Sequence, residues 1–255
     1  MPGRVARQFK ANPVADNIPE LSARIAALDW ARIRRDLEAE GWATTGPLLA
    51  ADECATVAGL YGDPDESVFR SRVVMARHGF GRGEYKYFAQ PLPQLVSALR
   101  TGLYEQLAPV AQHWSDILST GVSYPLLLAE FLQRCHAAGQ ARPTPLLLRY
   151  EAGDYNCLHQ DLYGEHVFPL QATILLSAPG RDFMGGEFVL TEQRPRMQSR
   201  AQVVPLDMGE AVIFAVHHRP VQGSRGHYRV AMRHGVSRVR SGRRHTLGVI
   251  FHDAR

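Results

Sequence analysis

His159 and Asp161 flank Gln160 at the end of an apolar run, and they are the clearest pair of chemically competent side chains in the sequence. On extended chain, residues two apart point the same way, so an imidazole and a carboxylate there could share one metal ion. A facial site of two histidines and one carboxylate needs a second histidine, returned by a strand that folds back across the core. His217, His218, His227, His234, His245 and His252 are the candidates. His234 is singled out by its downstream sequence, since Arg244 opens another apolar run ten positions on. A guanidinium there could hold a carboxylate bidentately beside the metal. His217 and His218 end the Gly209 to Phe214 strand pattern and read as substrate-facing or solvated side chains.

Further motifs surround these residues in a fixed order. Arg149 and Tyr150 precede the H-x-D, a G-G-E-F segment occupies Gly185 to Phe188, and G-E-A-V-I-F runs from Gly209 to Phe214. His234 is then followed by a G-x-R at Gly242 to Arg244. From Leu146 to His252 this arrangement resembles the Fe(II)/2-oxoglutarate-dependent dioxygenases, in their prolyl-hydroxylase-like form. The L-H-Q-D at Leu158 to Asp161, with Tyr150 nine residues before His159, is similar to the AlkB-type nucleic-acid demethylases. The longer distal segment with two arginines and the substrate lid usual in AlkB-type enzymes are not matched. Overall the sequence most resembles a bacterial group of oxygenases described as acting on damaged nucleic acid.

The resemblance implies an α+β protein with a double-stranded β-helix, or jelly-roll, core. It implies Fe(II) held by His159, Asp161 and His234, with 2-oxoglutarate and O2 as cosubstrates. Arg244 would bind the distal carboxylate of 2-oxoglutarate, and Tyr150 would add a hydroxyl to the same molecule. Strand alternation sends one of Arg243 and Arg244 inward and the other out. Hydrophobicity does not decide between them, and the G-x-R spacing favours Arg244. An alkylated nucleic acid is the substrate this resemblance favours, through C-H hydroxylation that would demethylate a base. A hydroxylase of protein or amino-acid side chains, of the prolyl type, is the alternative. A non-catalytic β-helix module that binds nucleic acid or a partner is a reading from another class, and a zinc site on the same side chains is a lesser one.

The elements that must position these groups are legible as patterns. Residues 1–20 read as an arm with Pro2, Pro13 and Pro19 scattered among polar residues. Residues 21–145 read as mainly helical, and residues 146–255 as the β-rich catalytic core, the two forming one domain. Apolar spacing predicts helices over 21–40, 50–61 (capped near Asp52), 95–118 and 124–138. A glycine-rich centre at His78 to Gly83 predicts a hairpin over 70–88, whose Tyr85 and Tyr87 either face substrate or pack in the core. Strands are expected at 42–48, 146–150, 167–177, 187–191, 202–205, 211–216, 233–239 and 244–251.

Composition narrows the class. With 255 residues, 45% hydrophobic and 21% charged, the sequence excludes collagen, coiled coil and wholesale disorder. Three widely spaced cysteines, Cys54, Cys135 and Cys157, form no CxxC pair and point to a reducing, cytoplasmic compartment. No apolar run is long enough for a signal segment or a membrane span. Net charge is +4, but the segment from Arg194 onward carries twelve arginines against three acids. Such a basic segment would attract phosphate or carboxylate ligands, although a strong preference for arginine over lysine is also a compositional habit.

Overall fold

In the computed structural model of the protein, which describes residues 18–255, side-chain alternation along the strands separates a helix-covered face from one that lines a cavity. The helices are α1 (Ile18–Ala27), α2 (Trp30–Glu40), α3 (Ala51–Gly59), α4 (Gln94–Ile117) and α5 (Leu128–Ala137). Strands β1 (Trp42–Pro47), β2 (Phe69–Val74), β3 (Gly81–Arg82) and β4 (Glu84–Phe88) are interspersed among them. There follow β5 (Leu146–Glu151), β6 (Tyr155–His159), β7 (Leu170–Leu175), β8 (Phe183–Gly185) and β9 (Phe188–Gln193). The last are β10 (Arg200–Val204), β11 (Glu210–Ala215), β12 (His218–Gly223), β13 (Gly226–Val236) and β14 (Val239–Val249).

One antiparallel sheet runs β1-β11-β7-β14-β5-β4-β2, with β8 also on β14, and the other runs β10-β9-β13-β6-β3, with β12 also on β13. This mixed architecture with antiparallel sheets is consistent with a jelly-roll core. Strand β7 shows how the layers arise. Leu170, Ala172 and Ile174 join the cluster formed with helix residues such as Ile25, Leu103 and Phe131, while Gln171 and Thr173 line a cavity. Strands β14 and β5 repeat the division: Leu247, Val249 and Leu147 go to the helices, and Arg244, Thr246, Leu148 and Tyr150 go to the cavity. A period of two lets one strand serve both.

Several elements depart from the sequence expectation. The arm expected over 1–20 lies outside the described residues up to residue 17, and Ile18, Pro19 and Glu20 already belong to α1. The single helix expected over 21–40 is two, because Asp29 caps α2 by accepting the Arg32 amide at 2.9 Å. The cap of α3 does lie near Asp52, as expected, and the group that makes it is the adjacent Glu53. The Glu53 carboxylate accepts the Ala50 amide at 2.7 Å and is itself held by Arg24. Helix α5 starts only at Leu128, since Pro125 disfavours helix just before it. The single strand expected over 233–239 spans the end of β13 and the start of β14, two longer strands of 11 residues each that break only at Ser237 and Arg238. Strand β12, with Pro220 and polar neighbours, is formed by its hairpin pairing to β13 and has no apolar signature.

The helical layer is locked to the end of the chain by a buried ion pair. Arg100 on α4 donates to Asp253 at 2.7 Å and to the carbonyls of Ile250 and Phe251. His136 of α5 lies 2.9 Å from the other Asp253 oxygen. Among the described residues no helix is long and apolar enough to cross a membrane.

Arg100→Met removes a buried cation and leaves Asp253 with His136 alone, so stability should fall by about 3–5 kcal/mol; urea unfolding measures it, and an unchanged midpoint would contradict the role given to this pair. His252 is buried, its Nδ1 accepts the Phe168 amide at 3.3 Å, and burial pushes its pKa down to about 4. Unfolding restores an ordinary imidazole that takes up a proton below pH 6.5. Stability should therefore hold above that pH and decline as pH falls from 6.5 toward 4, with a shallower decline in His252→Asn.

Candidate metal centre

Strands β6 and β13 are antiparallel neighbours, and their register sets His234 directly opposite His159. The two imidazole centroids are 4.2 Å apart. Asp161, two residues past His159, turns back between them. Its carboxylate oxygens lie 3.6 Å from His159 Nε2 and 3.4 Å from His234 Nε2. Among the described residues this is the group of His, Cys, Asp and Glu donors able to hold a metal, with all ligand atoms within 4.8 Å of one another.

Local chemistry prepares each group. His159 Nδ1 donates to the Cys157 carbonyl at 2.8 Å, which leaves the Nε2 lone pair free for a metal. Burial alone would raise the Asp161 pKa, but the His234 hydrogen bond, both imidazoles and the Tyr163 hydroxyl outweigh it and hold the carboxyl below its ordinary range. Tyr163 makes that contact at 2.6 Å to Oδ1. Burial, then His159, keeps the His234 pKa below its usual value despite Asp161. A carboxylate and two neutral imidazoles are the protonation states that ligation requires. Phe214 and Phe188 pack on the His234 ring at 4.6 and 6.0 Å, closing its far side to water.

The pairing of β6 with β13 depends on Gly235. The register slips between His234 and Val236, and a Cβ at Gly235 would lie 2.7 Å from the Asn156 carbonyl oxygen. Only glycine permits this approach of two backbones.

The three donors open into a cavity of about 330 Å³. Arg244 reaches it from β14. The residue is 1% exposed, and its Nε and Nη1 have no hydrogen-bond partner among the described residues. Its guanidinium carbon lies 5.6 Å from the Tyr150 ring and 5.8 Å from the Phe183 ring. Burial pushes its pKa down to about 10, so it stays a cation at neutral pH. Tyr150 lines the same cavity; its buried hydroxyl has Asn156 beside it but no well-formed hydrogen bond among the described residues, and burial, opposed by Arg244 and Asn156, pushes that phenol up to about 12. A buried cation with open donors, beside a metal-ready triad, calls for an anionic ligand. Arg243 points the opposite way and pairs with Glu151 at 3.2 Å on the surface. The helix-facing Leu247 and Val249 fix which arginine turns inward.

Tyr85 lines this cavity; Tyr87 does not. Tyr87 packs behind it, between Tyr85 and Tyr163, with Arg70 over its ring at 4.3 Å. His217 and His218 are not brought to the metal cavity either, and line a separate one. Tyr163, Gly235, Gln171 and Thr173 have no place among the sequence-read candidates. Tyr163 was available to the same period-two argument, as the next member of H-x-D-x-Y.

A family model described as an oxygenase catalysing oxidative methylation of damaged DNA matches residues 83–254, a span that includes all three candidate ligands and Arg244. Two proteins of Mycobacterium tuberculosis, from strains CDC 1551 / Oshkosh and ATCC 25618 / H37Rv, are each 48% identical over 167 residues. The match covers 66% of this chain and 72% of theirs, and both are described as uncharacterized. Among solved structures, a Phytophthora capsici prolyl 4-hydroxylase aligns with a TM-score of 0.50 at 15% identity, over 97% of this chain and 67% of that one. That likeness is one of fold.

Gly235→Ala should separate β6 from β13 and weaken Co(II) binding by roughly tenfold or more, as read by anaerobic titration calorimetry. Gly59→Ala, on a helix with open space around it, should bind as wild type. Equal affinity in both variants would show that the bulge does not set the site.

Proposed function

The chain belongs to this oxygenase family, and from that premise we propose that it is an Fe(II)- and 2-oxoglutarate-dependent dioxygenase acting on alkylated nucleic acid. The observation that carries the reading is one cavity holding both a His-Asp-His donor set and the unpartnered guanidinium of Arg244. Two imidazoles and a carboxylate are the donor set of non-haem Fe(II) oxygenases. A hydrolytic zinc centre could use the same three groups, but it has no need of a second, buried anion anchor. A dicarboxylate cosubstrate does.

In this reading His159, Asp161 and His234 hold the iron, and Arg244 holds the distal carboxylate of 2-oxoglutarate with the Tyr150 hydroxyl donating beside it. Bound there, the iron and 2-oxoglutarate supply the activation of O2 that hydroxylates a substrate C-H bond while the cosubstrate leaves as succinate and CO2. The chain's own residues bind, orient and exclude water. Tyr163 fixes the Asp161 carboxylate, and Leu146 and Leu148 form dry walls. No side chain is asked to act as a general base.

The substrate assignment follows the family description and the rim of the cavity. Phe80, 48% exposed, lies at this rim with the His78 ring stacked on it at 5.3 Å. An exposed aromatic face beside a reactive cavity suits a base taken out of its stack. The presence of all three ligands favours an enzyme over a binding module. Residues 18–255 are taken as one domain, since a single apolar cluster contains side chains from both the helical and the strand-rich halves.

The test is anaerobic loading with Fe(II) and 2-oxoglutarate, then exposure to O2, scoring succinate with and without N-methylated single-stranded oligonucleotides or peptides. Methylated strands should stimulate succinate formation, and stimulation by peptides alone would move the substrate to protein. His234→Ala should abolish turnover; succinate at the wild-type rate in that variant would refute the ligand assignment. Arg244→Met should raise the 2-oxoglutarate requirement by roughly tenfold to a hundredfold, as expected for losing a charge-assisted pair.

A further inference from the structure

The second cavity, about 300 Å³, lies between the C-terminal end of α4, the segment after Asp161, and the β12–β13 hairpin. Its walls include the rings of Trp114 and Tyr124, and its polar members include His217, His218 and Arg229. Leu162 lines both this cavity and the metal cavity, so the two share a wall there. Gln160, between the ligands His159 and Asp161, donates to the carbonyls of His217 and Met232 and so joins the two walls.

Three features define what would fit. Trp114 is 2% exposed, yet its indole N-H has no acceptor among the described residues. A ligand that supplied one would relieve an unpaired buried donor. The rings of His217 and His218 sit against each other, with centroids 3.6 Å apart. Burial, with Arg229 adding to it at His217 and with His217 and then Arg229 adding to it at His218, keeps both below the usual imidazole pKa, at about 4 for His218. At neutral pH they offer hydrogen-bonding edges, and Arg229 is the charge. No carboxylate lines the cavity among the described residues. A flat ring bearing an acceptor, attached to an anion, meets all three.

We infer that this cavity is a nucleotide-binding subsite, which receives a base with its phosphate next to the one presented to the metal. Its placement beside the metal cavity rests on the nucleic-acid reading above; the chemistry of its lining does not. Stacking on aromatic side chains binds bases without sequence preference, and a guanidinium neutralises the backbone. A strand spanning both cavities would pass over Leu162, which is exposed.

The test uses the full chain in EDTA, so that no metal contributes. A fluorescein-labelled DNA single strand is titrated by anisotropy, and a free 5′-deoxynucleotide by quenching of tryptophan fluorescence. Both should bind. His218→Ala and Arg229→Ala should each weaken strand binding by roughly fivefold or more, and Arg229→Ala should lower the slope of log affinity against log salt by about 0.7. Trp114→Phe should remove the quench, whereas Arg244→Met should bind the strand as wild type does. Wild-type affinity in both His218→Ala and Arg229→Ala would overturn the proposal. So would failure of the wild type to bind the strand, or an acidic peptide binding in its place with dependence on Arg229. Succinate formation without nucleic acid, measured alongside, should be unchanged in the His218 and Arg229 variants. If it is normal while the strand does not bind, the subsite falls and the oxygenase reading stands.

Discussion

The antiparallel pairing of β6 with β13 is the constraint on which the site depends, because it alone sets His234 opposite His159. A one-residue slip would turn His234 to the other face and leave the pair unable to share an ion. Two features hold the register. On its other edge β13 pairs with β9, where His234 faces Leu190, so the strand is fixed from both sides. At the bulge, Gly235 lets β13 approach Asn156 and Cys157 more closely than any side chain would allow. Asp161 then needs no long-range pairing of its own, since it follows the first histidine by two residues.

The larger sheet supplies what the smaller one lacks. Each of β5, β7 and β14 sends one alternating set to the helices and turns the other to the cavity, where Arg244, Thr246, Gln171, Thr173 and Tyr150 gather beside Leu146 and Leu148. A buried guanidinium with open donors is costly by itself. It is tolerated because Leu247 and Val249, on the other face of the same strand, are fully buried in the main core cluster. Stability and function are thus divided between the two faces of single strands. The rigidity conferred by one face keeps the other in place while it waits for an anion.

How much of this was legible depends on the range of each interaction. The H-x-D pair and its strand could be read locally, because two residues on extended chain share a face whatever surrounds them. His234 and Arg244 could be read through their order along the chain and its family resemblance. The structure brings His234 to the pair and turns Arg244 rather than Arg243 inward. That choice was closed to hydrophobicity, since both alternating sets on β14 contain apolar residues, and only the position of the helices distinguishes them. His217 and His218 were legible as polar residues after a strand, but the wall they belong to is built by Trp114 and Arg229, distant in sequence. Strand β12 was hidden for the same reason, being stabilised by its partner and not by its own composition.

The helical layer bears directly on the metal centre through the segment that carries Asp161. Between Asp161 and β7 the chain has no regular structure of its own, and its anchors come largely from elsewhere in the fold. Gln140, just past α5, donates to the His166 carbonyl and accepts the His166 amide, at 3.0 and 2.8 Å. Gly164 lies so close to the Gln140 side chain that a Cβ would be 2.3 Å from it. Phe168 inserts its ring among Tyr104, Phe131 and Phe251, which ties the far end of the segment to α4 and α5. With the β6–β13 register fixing two imidazoles and the helices fixing the route away from the carboxylate, all three donors are held before any ion arrives. The N-terminal half is therefore part of the metal centre's support, and removing α5 would be felt at Asp161.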